Sequence, residues 1–103
     1  MNQIQQGRWA IESIIIDATT VMNFDGFEYL ELCDDELVIQ PIGFRFNVEE
    51  STANSAILKS RGHVYFVDFA VHRNELKMKM TRPEFSEIFE VTAHMQNAFV
   101  AAN

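Results

Sequence analysis

One cysteine, Cys33, is too few for an intramolecular disulfide, so covalent stapling does not hold this chain together. That suits a reducing compartment, and the chain reads as cytoplasmic. Two Pro and four Gly in 103 residues argue against a disordered or collagen-like polymer. Cations are scarce as well: 8 Lys and Arg stand against 15 Asp and Glu, a formal charge of −7. Binding phosphate requires clustered Lys and Arg that release counterions, so nucleic acid and anionic membrane surfaces are poor partners. The one basic cluster, Lys59 to Arg61, ends a strand-like segment and is read as a solvated edge. No apolar run approaches the length of a bilayer span, and no basic leader followed by an apolar stretch opens the sequence.

What the chain does have is apolar material. Nine Phe, two Tyr and one Trp sit within a 48% hydrophobic composition, enough to fill one core. At this length folding buries roughly 60–70% of the unfolded surface, which predicts a single domain over residues 1–103. The pattern along the chain is that of short strands separated by turn residues. Trp9 to Asp17 is rich in β-branched residues and predicts a strand buried partly on both faces. Asn23-Phe24-Asp25-Gly26 supplies turn chemistry, and Phe27–Leu32 and Leu37–Ile42 then flank Cys33-Asp34-Asp35-Glu36 as a hairpin. Pro41 and Gly43 break the chain before Phe44, Phe46 and Val48 alternate with polar residues. Further strands are predicted at Ser55–Ser60, His63–His72 and Leu76–Thr81, the last being the cleanest alternation in the sequence.

Beyond Pro83 two periodicities compete. Phe89, Val91, Ala93 and Met95 fit one face of a strand, while Phe85, Ile88, Phe89, Thr92, Met95 and Phe99 fit one stripe of a helix. The β-branched and aromatic content of Ile88 to Thr92 favours a strand there, with a short helix from about Met95 to Ala102. Eight strands joined by short links predict an all-β, up-and-down antiparallel barrel, because a twisted meander that closes leaves no unpaired edge.

Gly7-Arg8-Trp9, at the head of the first strand, resembles the Gly-x-Trp signature of lipocalins and their calycin relatives. The chain is similar to short bacterial lipocalin-like domains of uncharacterised role, and the resemblance implies a meandering barrel with Gly7 and Trp9 as a structural plug at one end. It also implies a role in holding small apolar molecules. Two features of the longer lipocalins have no counterpart: Val67-Asp68-Phe69 lies mid-strand instead of forming their acidic turn, and Arg82 precedes the last strand instead of following it.

The candidate ligand-binding residues are Phe46, Tyr65, Phe69, Met78, Met80 and Phe89, whose adaptable apolar side chains suit a hydrophobic ligand. The same residues suit a filled core. With this aromatic load and strands of about six to nine residues, a mostly filled interior is expected. Asp68 interrupts an apolar strand, but the opposite face is cleaner, which places it outside. His63 and His72 lie on opposite faces and about 30 Å apart, no Cys pair or close His spacing exists, and Asp34-Asp35-Glu36 is better read as a solvated tip than as a calcium loop. No metal or other cofactor is implied. Glu28, Glu31, Glu87 and Glu90 have no visible partner, and no nucleophile motif or phosphate-cradling glycine loop is present, so the sequence supports no catalytic residue.

Two readings follow. One is a lipocalin-like module that binds a small hydrophobic ligand. The other is a structural or interaction domain with a filled core, either self-associating as a homo-oligomer or, if the last segment is one helix, resembling the pleckstrin-homology-like barrel.

Overall fold

A computed structural model describes residues 6–98, and nine strands lie among them. They are β1 (Gly7–Ile16), β2 (Thr19–Thr20), β3 (Phe27–Leu32), β4 (Glu36–Pro41), β5 (Phe44–Ser51), β6 (Ser55–Ser60), β7 (His63–His72), β8 (Glu75–Thr81) and β9 (Ile88–Ala98). Eight of them form a closed antiparallel barrel in chain order; β2 is an additional two-residue strand that folds back on the end of β1. Closure comes from β1, which pairs with β3 on one side and with β9 on the other.

Local chemistry explains the turns. Between Ser60 and His63 the chain reverses through Arg61 and Gly62, with φ of 52° and 80°, and between Ile16 and Thr19 through Asp17 and Ala18, with φ of 50° and 65°. Two consecutive left-handed residues are what a tight hairpin needs to match the right-handed twist of its strands. Strand alternation sets the core. Tyr65, Val67 and Phe69 of β7 and Leu76, Met78 and Met80 of β8 are buried, while Phe66, Asp68, Lys77 and Lys79 between them are exposed.

β1 obeys the rule with one interruption. Ile11 pairs with Ala93 and Ser13 with Thr92, which leaves Glu12 as the extra residue of a β-bulge. The bulge shifts the phase by one, so Trp9 and Ile11 face inward before it and Ile14 after it. This is why the segment looks apolar on both faces in sequence.

One expectation is overturned. The helix predicted from Met95 to Ala102 does not form where the structure describes it: the chain continues as strand to Ala98, and residues 99–102 lie outside the described part. The single-helix alternative for the last segment, and the pleckstrin-homology-like architecture built on it, fall with it. The physical reason is closure. β1 offers a free edge along its length, and β9 satisfies it from Phe89 to Ala98 while also pairing with β8, a ladder that outweighs local helix periodicity.

Candidate functional site

Because every strand reverses direction, the loops segregate to two ends. Gly7, the β3–β4 tip and the β5–β6 and β7–β8 turns lie at one end; the β1–β3 connection, Ile42-Gly43, Arg61-Gly62 and residues 82–87 lie at the other. The first end is filled. Trp9, Leu32, Leu58, Val67, Leu76 and Ala93 are essentially inaccessible to solvent. Trp9 has Leu30 and Met95 as its cross-strand neighbours and is 1% exposed, with Gly7 beginning the strand beside Leu32.

The second end holds a cavity of about 400 Å³. Its wall includes Ile14 of β1, Phe46 of β5, Tyr65 of β7, Met78 and Met80 of β8 and Phe89 of β9. The interior is therefore filled at one end only, contrary to the expectation from aromatic content. The aromatic rings are partly spent elsewhere: Phe66 is 45% exposed on the outer wall, and Phe85, 46% exposed, stands in the loop after β8. Those in the wall stand against one another, with the Phe46 and Tyr65 rings edge to face at 5.2 Å and Phe44 beside Phe46 at 4.8 Å. Five of the six residues picked from sequence line the cavity. The sixth, Phe69, is buried toward the filled end and does not.

Sequence reasoning missed the β1 side of the wall, the mouth loop and the one cation. Ile11, Ile14 and Ile16 line the cavity, and the bulge hides the last two in sequence by shifting their phase. Val21 and Phe24, from the segment between β2 and β3, pack against the core and cover part of the mouth. That segment is pinned by Val21 N–H donating to the Ile14 carbonyl at 2.9 Å and Phe27 N–H to the Phe24 carbonyl at 2.9 Å. Arg82, immediately after β8, also faces the cavity. Its Nη1 donates to the Tyr65 hydroxyl at 3.2 Å, and its guanidinium lies 3.8 Å from the centre of the Phe85 ring. Asn23 and Asp25 complete the polar part of the lining.

The remaining titratable groups lie outside the barrel. Asp68 is exposed on the outer face, between Ser55 and Lys79. His63 pairs with Glu84 at 3.2 Å, and His72 is exposed at the far end of β7. Glu12, Glu75 and His94 gather ligand atoms within 4.8 Å of one another across the β1–β9–β8 seam. His94 contacts Glu12 directly and lies 3.6 Å from Glu75, which Lys77 also approaches at 3.8 Å. All four side chains are more than a third exposed, so the group forms a solvated polar cluster on the outer wall. Cys33 sits exposed at the β3–β4 tip. Partial burial and then the carboxylates of Glu36, Glu31, Asp35 and Asp34 push its thiol above the ordinary value. Among the described residues no helix is long and apolar enough to cross a membrane. Comparison with protein-family models, curated proteins and solved structures finds no match to this chain.

Proposed function

We propose that this protein is a lipocalin-like binding module that holds one small apolar ligand in the open half of its barrel. The observation that carries the reading is the cavity of about 400 Å³, apolar-walled and reached from one end, opposite a filled end stoppered by Trp9. Its size falls within the range of about 300–1,000 Å³ usual for small-molecule sites, and its few polar groups converge near the mouth, as such sites arrange them. The eight-strand meander and Gly7-Arg8-Trp9 at the head of β1 support membership of the calycin group. Titration with a neutral, environment-sensitive dye, followed by methyl and aromatic NMR, tests the reading. Saturable one-to-one binding that shifts Ile14, Met78, Met80 and Phe89 but spares Leu58 and Val67 is expected. Dye binding that moves none of the cavity residues would refute it.

A second reading has its own observation. Ile57, Phe66, Thr81 and Ile88 form one lateral row on the outer wall, and Phe66 and Ile88 are 45% and 36% exposed. An apolar row of this kind suits self-association. Sedimentation of the intact protein decides it, a monomer at high concentration removing the homo-oligomer.

A further inference from the structure

Resting on the reading of the cavity as a ligand site, we infer that the ligand is a small monocarboxylic acid whose head group is held by Arg82 and Tyr65 at the mouth. Arg82 is the one cation of the cavity lining. Of the other guanidinium groups, Arg8 lies 3.6 Å from Glu31 and Arg45 2.8 Å from Glu36, while Arg61 and Arg73 are exposed to water, unlike the half-buried Arg82. No ion pair involves Arg82 among the described residues, although 15 Asp and Glu are available in the chain. Its partners are a neutral hydroxyl and the faces of two rings, Phe85 at 3.8 Å and Tyr65 at 5.7 Å. A half-buried cation among apolar walls carries a desolvation cost that rings and one hydroxyl offset only in part; an anion completes the set.

Contact with the two rings and the bond to Tyr65 restrict the guanidinium, and the N–H groups left over can grip an oxygen pair. A singly charged carboxylate fits better than a phosphate dianion, because a chain of formal charge −7 repels the second charge. Asp25, the other charged residue of the lining, is exposed and beyond ion-pair distance of Arg82. The apolar body is limited by the room available. A cavity of about 400 Å³ accommodates on the order of a dozen non-hydrogen atoms at roughly 30 Å³ each.

Decanoate and decan-1-ol, titrated calorimetrically at pH 7 into the intact protein, test this. Decanoate is expected to bind about ten- to hundredfold more tightly than the alcohol, the usual worth of a hydrogen bond to a charged group. Arg82→Met, which keeps an apolar stem, should abolish the preference for decanoate over the alcohol. Tyr65→Phe should weaken decanoate several-fold less than Arg82→Met does. Equal binding of acid and alcohol by the unaltered protein overturns the anchor while the cavity still binds, and so does decanoate affinity indifferent to Arg82→Met. Failure of both probes to bind removes the cavity reading and the anchor together. The acid–alcohol comparison needs no variant, so it stands even where a substitution impairs folding.

Discussion

Two positions on one strand test whether the interior is divided as described. Val91 and Ala93 are two residues apart on the same face of β9; Val91 borders the cavity, whereas Ala93 is fully buried between Ile11 and Leu76. Ala93→Leu adds three carbons where no space exists, and overpacking of that kind costs about 1–3 kcal/mol. At about 4–8 °C per kcal/mol for a domain near this size, Tm should fall by roughly 5–20 °C. Val91→Phe adds four carbons beside an opening of about 400 Å³. The extra buried area contributes on the order of 1 kcal/mol, which offsets local repacking, so stability should change by less than about 1 kcal/mol in either direction. Urea unfolding followed by the single tryptophan, 1% exposed in the native state, reads both changes with an unaltered m-value. The same Val91→Phe protein should take up less of the neutral dye. If it is destabilised as much as Ala93→Leu, the cavity wall is as tightly packed as the filled end and the two-ended interior is wrong.

Three further outcomes follow from local geometry. Ala18 holds φ of 65° in the tight turn after β1, a conformation that costs an L-residue roughly 1–2 kcal/mol; Ala18→Gly should therefore raise stability in urea by up to about 1 kcal/mol. At the same turn Asp17 accepts from the Ile88 N–H at 2.8 Å and its own N–H donates to the Ile88 carbonyl at 2.9 Å. Asp17→Ala should lower stability by about 1–2 kcal/mol and Asp17→Asn by less, as measured by the same unfolding curves. The raised pKa of Cys33 leaves less thiolate at neutral pH, so alkylation should be slower than for free cysteine and should reach half its maximal rate at a higher pH. Added salt should speed it by screening the surrounding carboxylates, and a rate indifferent to both pH and salt would contradict that environment.

Much of the barrel is legible in the amino-acid order because its hairpins are local. Phe27–Leu32, Ser55–Ser60 and His63–His72 form strands at the predicted bounds, and residues of positive φ mark one bound of each: Gly26, Arg61 and Arg73. The two ends of the chain are less legible, since each is defined by the other. Strand β9 runs through Met95 because β1, more than eighty positions earlier, needs a partner, and no local periodicity records that need. The same separation hid the site. Ile14 reaches the cavity because the bulge at Glu12 reverses the phase of β1, and strict alternation from Trp9 would point it outward. Arg82, which the lipocalin pattern marks only as misplaced, acquires its setting from Tyr65 on the neighbouring strand and Phe85 in the loop beyond.

Counting aromatic residues predicts a full interior, and the reason it fails explains how the cavity persists. An apolar void ordinarily shrinks by inward movement of its lining, since every unfilled contact forfeits dispersion energy. Here the strands cannot draw together at one end alone, because the β1–β9 pairing and the filled core around Trp9 fix the circumference. The side chain best placed to swing into the opening, Arg82, carries a charge whose full desolvation costs more than the void itself. Phe85 and the Tyr65 hydroxyl hold it at the mouth instead. The cation thus acts as a prop as well as a lure: Arg82→Met, which removes the charge and keeps a long apolar stem, should let the side chain fold inward and reduce neutral-dye uptake. Unchanged uptake by that variant would mean that the backbone frame alone keeps the barrel open.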